Sequence, residues 1–277
     1  MPPDGTLVTE ADFARTYDGG AYDDAWTAVQ QYRRVAAYRI DHPDAGYTAI
    51  SNRLEIPLGR VRSWIDYERT PNVVAGLRTA HERGWIDITY EDDQFTALNA
   101  LVANVYSGGS INSENWQPLF ALNERGFNSH CIDVLELAGV GHTVHEDADE
   151  IRGPVVRPGE DGAILGRVLH VLGTPIGKKS ELEDFALPWY LEDAPIDVRE
   201  TFVYCYLANR AYTDPSSESM QIIEERSQSY REELAALIQS VAGEPVTAGE
   251  KSVTISAAAT RSLGHLPEHR LSPDEAE

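Results

Sequence analysis

Apolar residues along this 277-residue chain recur mostly at helical spacing, broken by short extended stretches. In "DDAWTAVQQYRRVAAYRI", Trp26, Val29, Tyr32 or Arg33, Ala36 and Ile40 fall at helical spacing, which predicts a helix stopped by "DHPDAG". In "YTAISNRLEIPLGRVRSWI" the apolar positions are Ile50, Leu54, Ile56, Val61, Trp64 and Ile65. Two short helices packed across a tight turn need that spacing, with Ile56 filling the corner between them. A further helix, "NVVAGLRTAHERGW", follows Pro71 and closes an all-helical region near Trp85.

Beyond Gln94 the pattern repeats with an offset of 101 residues. The apolar helix in "FTALNALVANVYSGGSI" faces the one in "VRETFVYCYLANRAYT", and Glu124-Arg125 faces Glu225-Arg226, each ahead of an amphipathic helix. Extended pieces follow, "GHTVHEDADEIRGPVVRPG" and "EPVTAGEKSVTISA", and each half ends in a helix, "GAILGRVLHVLG" or "AAATRSLGHL". The pattern predicts an α+β chain, with a helical domain over residues 1–88, a pseudo-two-fold duplicated domain over 89–266 and a flexible acidic tail over 267–277. Ala100, Ala103 and Ser107 on one leading helix, and Thr201, Cys205 and Ala208 on the other, form small-residue stripes that let two helix backbones approach closely.

Composition narrows the class. With 42% hydrophobic and 25% charged residues the chain is globular, and no run approaches the ~20 apolar residues of a membrane helix. "MPPDGTLVTE" lacks the basic and apolar regions of a signal peptide, and two cysteines, Cys131 and Cys205, make neither a disulfide framework nor a zinc site. The expectation is a soluble, cytoplasmic protein.

Charge carries more information. Three lysines and 20 arginines stand against 45 acids, a net −22 spread along the chain, as in the hydrated surfaces of halophilic proteins. Residues 30–84 reverse the sign, with nine arginines against six acids. This island contains the paired short helices, whose spacing resembles the helix-turn-helix of many regulators and recombinases, with Glu55 where glycine is usual. Arg60 and Arg62, outward with Ser63 on the second helix, are the candidate readers of base edges, and Arg53 and Arg69 the candidate phosphate clamps. Double-stranded DNA is the expected partner. A salty interior weakens counterion release, so two copies acting as a homodimer are expected to supply avidity.

The duplicated region resembles the LAGLIDADG homing endonucleases, carried by "LVANVYSGG", "FVYCYLANR", "LGTPIGKKSELEDFALPWYL", "RSQSYREELAALI" and "VTISAAATRSL". The resemblance implies two αββαββα halves whose leading helices cross at the centre, each delivering a metal-binding acid to phosphodiester cleavage. At those positions this chain has Gly108 and Asn209, and Arg210 replaces the glycine closing the second motif. Glycine offers no ligand atom and asparagine only a neutral carbonyl, so neither a metal nor another cofactor is expected and the chain is read as a non-enzyme. Its architecture is similar to the WhiA-type transcription regulators, which combine an inactive LAGLIDADG domain with a helix-turn-helix in the opposite order. The expected function is therefore sequence-specific transcription regulation. The alternative is a homing or nicking nuclease with displaced ligands, for which Asp92, Asp93 and Glu114 are the candidates. His142 and His145 beside Glu146, Asp147 and Asp149 read as a solvated strand end, and Lys178-Lys179 as either a DNA-backbone contact or an exposed loop.

Overall fold

The computed structural model describes residues 5–20, 22–122, 130–145, 154–182, 184–213 and 218–264. The chain divides into a helical unit, Val8–Asp87, and a mixed unit formed by the rest. No helix among the described residues is long and apolar enough to cross a membrane.

The helical unit contains α1 (Glu10–Arg15), α2 (Ala25–Asp41), α3 (Tyr47–Leu54), α4 (Leu58–Ile65) and α5 (Asn72–Glu82). Polar caps start the first two: Thr9 Oγ1 accepts from the Asp12 amide at 3.1 Å, and Asp24 Oδ1 from the Trp26 amide at 3.0 Å. Pro57 and Pro71 immediately precede α4 and α5, with φ already near the helical value. Glu55 ends α3 at φ 57°, taking the left-handed conformation that a glycine would adopt without strain. Ile50, Ile56 and Val61 are buried around Val35 of α2, with Leu54, Trp64 and Ile65 packed on them.

One expectation fails on α2. Ile40 is 81% exposed and Ala36 is exposed, while Ala28 and Val35 are buried. The buried positions are Ala25, Ala28, Val29 and Val35, so the expected stripe holds at Val29 and fails at Ala36 and Ile40, where the core turns to Val35 instead. Val35 wins because α3 and α4 cover its side of the helix.

Glu10 joins three elements of this unit. Its carboxylate takes two 2.6 Å hydrogen bonds from the Arg33 guanidinium and lies 2.6 Å from His81 Nε2. The Arg33 bonds, aided by His81 and opposed by partial burial, lower its pKa from 4.5 to about 2. A carboxyl depressed in the folded state stabilises above its unfolded value and loses that contribution as pH falls from 4.5 towards 2. Arg33 is 49% exposed, so solvent screening reduces the expected loss to about 1 kcal/mol. Glu10→Gln is expected to flatten this part of the acid-denaturation profile, checked by urea midpoints between pH 6 and 2.5; an unchanged profile would remove the ion pair from the stability of the unit.

The mixed unit runs α6 (Asp93–Ser107), β1 (Ser110–Ile111), β2 (Pro118–Ala121), α7 (His130–Leu137), β3 (His142–His145), β4 (Val155–Pro158) and α8 (Gly162–Val171). After two single 3-10 turns, Lys179–Glu181 and Trp189–Leu191, come α9 (Ile196–Arg210), β5 (Ala211–Thr213), β6 (Met220–Ile223), α10 (Gln228–Ala242), β7 (Val246–Ala248), β8 (Ser252–Ile255) and α11 (Ala257–Leu263). The order helix, two strands, helix, two strands, helix thus occurs twice. The antiparallel sheets share one strand order, β1-β2-β4-β3 and β5-β6-β8-β7. Glu124-Arg125, the acids after His145 and residues 267–277 lie outside the described residues.

Helix α6 is buried at every position from Ala97 to Ser107, so the central place follows from its lack of a polar face. Its most extensive packing is against α9. Asn99 Nδ2 donates to the Val198 carbonyl at 2.8 Å near one end of the pair, and Asn209 Nδ2 reaches α6 near the other, so the two helices run side by side in the same sense. Strand alternation turns Phe120, Val156, Ile222 and Val253 inward, leaving Arg157 on one sheet and Ile223 on the other exposed.

Candidate nucleic-acid interface

In the helical unit, α3 and α4 hold the predicted arginines in unequal states. Arg53 and Arg69 are exposed, and Ser63 is half-buried, with its carbonyl accepting from the Arg69 amide at 3.1 Å. Arg62 is 51% exposed, 3.6 Å from Asp66, and its guanidinium lies 5.6 Å from the centre of the exposed Tyr67 ring, which Arg69 approaches to 5.9 Å. A basic and aromatic patch therefore surrounds the C-terminal end of α4.

Arg60 has a different place. Its guanidinium stacks 3.7 Å from the Tyr22 ring centre and donates to Gln31 Oε1 at 3.1 Å. Partial burial raises the Tyr22 pKa, with the charge of Arg60 opposing. Arg60 is thus packed inside its own unit, and the outward set on these two helices is Arg53, Arg62, Ser63 and Arg69.

The centre of the mixed unit lies where α6 and α9 end. Gly108 has open space where a side chain would begin, the nearest atom being Ala121 Cβ at 3.8 Å; a Cβ on Gly109 would sit 2.7 Å from the Leu119 carbonyl oxygen. The second glycine of the pair is required by close backbone approach, and the first is not. Asn209 Nδ2 donates at 2.8 Å to both Asn104 Oδ1 and Ser107 Oγ. Ser107 spends its own hydroxyl hydrogen on the Ala103 carbonyl, and these acceptors fix the amide orientation, leaving Asn209 Oδ1 without a hydrogen-bond partner among the described residues.

Cations gather around that amide. Lys179 is largely buried and its ammonium donates to the Val105 and Tyr106 carbonyls, capping the C-terminus of α6. Burial first, then the charges of Arg226 and Arg210, lower its pKa to about 7, with Glu224 opposing. Arg226 donates to the Tyr106 carbonyl at 3.3 Å and to Glu224 Oε2 at 3.2 Å, and stacks on Phe185 at 4.3 Å. Arg210 donates to the Ile223 carbonyl at 2.8 Å and approaches Glu224 at 3.8 Å. Glu224, 2% exposed, also accepts from the Tyr206 hydroxyl at 3.1 Å.

This donor set does not fit a divalent metal. Position 108 has no ligand atom, and the single amide oxygen faces a neighbourhood of positive charge. Asp92 and Asp93 stand at the opposite end of α6, about 20 Å away by helical rise, and Glu114 lies in an exposed turn. Among the described residues no three His, Cys, Asp or Glu side chains gather to hold a metal. His142 instead pairs with Glu136 at 3.1 Å, and burial pushes the thiols of Cys131 and Cys205 up.

Two grooves lie over the open sheet faces and share Lys179. One, of about 520 Å³, is lined by Asn112, Gln117, Arg157 and Lys178; the other, of about 780 Å³, by Phe185, Asn209, Arg210, Tyr212, Ile223 and Arg226. Thus five of the few basic residues beyond residue 84 converge on one surface. The sequence signalled this only through Lys178-Lys179, two of three lysines in the chain. Lys178 pairs with Glu181 at the surface, at 3.1 Å.

No protein-family model matches the chain, and a comparison with curated proteins finds no match.

Proposed function

We propose that the chain is a sequence-specific DNA-binding regulator, with a helix-turn-helix formed by α3 and α4 and a LAGLIDADG-like second unit that does not cut. The carrying observation is the pair of short helices packed around Ile50, Ile56 and Val61, with Arg53, Arg62 and Arg69 left outward in the one stretch of net positive charge. Arginine suits both guanine edges and phosphate, and such a patch concentrates attraction that the rest of an acidic chain opposes. The repeated order of elements and the cation-rich ends of α6 and α9 support the second part. A helix pair with a glycine and a neutral amide in place of acids is a scaffold for binding, and two copies acting together would add avidity.

The test is fluorescence anisotropy with a duplex selected from a random pool. Arg53→Ala with Arg62→Ala is expected to weaken binding at least tenfold and to reduce the slope of log affinity against log salt by about one, at ~0.9 for the phosphate contact of Arg53. The same duplex is expected to stay intact with Mg²⁺. Unchanged affinity and slope would overturn the helix-turn-helix reading, and specific cutting would overturn the non-cutting one.

A further inference from the structure

The second groove has features that binding of duplex DNA by α3 and α4 does not use. Its floor holds Lys179, Arg210 and Arg226 against one buried carboxylate, Glu224, with Glu225 exposed at the rim. Arg210 and Arg226 carry fixed charges that match Glu224 and Glu225 in number, while Lys179, its pKa lowered to about 7 by burial and by the two arginines, is part-protonated and takes up a full charge when an anion approaches, so the electrostatic complement of the groove is an anion. Hydrogen-bonding capacity remains as well. Arg210 spends one guanidinium donor on the Ile223 carbonyl, out of the five such a group carries.

The walls restrict the form of that anion. Leu182, Tyr212 and Ile223 line the groove and are 41%, 46% and 56% exposed, an apolar rim beside the charged floor. The Tyr212 hydroxyl is held by Gln221 at 2.8 Å, which fixes a half-exposed aromatic face there. The volume, about 780 Å³, matches that of small-molecule sites. Arg226 is only 19% exposed and Lys179 is largely buried, so an anion must enter the groove to meet them. A phosphoryl group able to enter, attached to a flat apolar ring, satisfies floor and rim together.

We propose that this groove binds a small nucleoside phosphate, its phosphoryl group on Arg210, Arg226 and Lys179 and its base against Tyr212 and Ile223. The inference is independent of DNA binding by α3 and α4.

Isothermal titration of the full chain with ADP, pyrophosphate and adenosine at fixed salt tests it. ADP is expected to bind more tightly than pyrophosphate, and adenosine not at all. Arg210→Gln, an exposed substitution, is expected to weaken ADP at least tenfold without altering the thermal midpoint of the unliganded protein. Tyr212→Ala is expected to bring ADP down to the affinity of pyrophosphate. Absence of ADP binding, equal affinity of ADP and pyrophosphate for the unmodified chain, or an Arg210→Gln variant that binds ADP normally would each overturn the proposal. So would loss of duplex binding in that variant with ADP binding intact, which would assign the groove to the DNA backbone. The Arg53→Ala with Arg62→Ala variant is expected to bind ADP unchanged, so failure of the DNA reading is separable from failure of this one.

Discussion

Replacing Glu224 with alanine is expected to destabilise the mixed unit by about 3–5 kcal/mol, the range for removing one partner of a buried ion pair. The carboxylate is 2% exposed and accepts from the Tyr206 hydroxyl, the Arg226 guanidinium and the Arg226 amide, at 3.1 to 3.2 Å. Its removal leaves Arg210 and Arg226 repelling one another with no buried counterion between them and takes from Lys179 the one charge that favours its protonated form. The Tyr206 hydroxyl also loses its acceptor. Glu224→Gln keeps an acceptor oxygen at the same length and is expected to cost less than alanine, with the remainder arising from charge. Urea unfolding of the full chain, followed by tryptophan fluorescence, measures both. Midpoints for Glu224→Ala and the unmodified chain that coincide would show that the cations do not depend on this carboxylate.

The second large effect is expected at the α6–α9 seam. Ala103 is fully buried on a helix with no exposed position between Ala97 and Ser107. Leucine there adds three carbons where α7, α8 and α9 all pack on α6. Overpacking a filled core costs about 1–3 kcal/mol, and the upper end applies where no neighbouring side chain has solvent to move into. A displaced α6 also disturbs the Asn104–Asn209–Ser107 bonds, because these join the two helices directly. Ala121→Leu, on the exposed face of β2, is the matched control and is expected to leave stability within about 0.5 kcal/mol. Equal denaturation midpoints for the two variants would mean that the small-residue stripe does not set the helix approach.

Legibility in the sequence follows the range of the interaction. The corner between α3 and α4 could be read because Ile50, Ile56 and Val61 are close in the chain and meet one another. The burial of α6 could be read because apolar residues occupy all its sides. On α2 the spacing holds at Val29 and departs from the structure at Ala36 and Ile40, because those positions continue an equally regular stripe and only the placement of α3 and α4 selects Val35. Arg60 looked outward by spacing alone; Tyr22, on a preceding turn, claims its guanidinium. Glu224 was indistinguishable from its neighbours in a chain with 45 acids, since burial marks it out and spacing does not. Lys179 finds its acceptors on a helix far away in sequence, a partnership between side chain and backbone that leaves no pattern in residue types.

The contrast between Gly108 and Asn209-Arg210 has a consequence for symmetry. In a dimer of identical halves, any change at the end of one leading helix is copied at the other, and the centre stays symmetric. Two units in one chain are free of that constraint, and here the ends differ: one helix ends in a bare glycine, the other in an asparagine and an arginine held beside a buried carboxylate. The repetition survives in backbone order and is lost in side-chain chemistry. The two grooves of this surface are both basic but differ in what stands beside the charge, amides of Asn112 and Gln117 in one and the rings of Phe185 and Tyr212 in the other, so a molecule lying across both would have a preferred orientation.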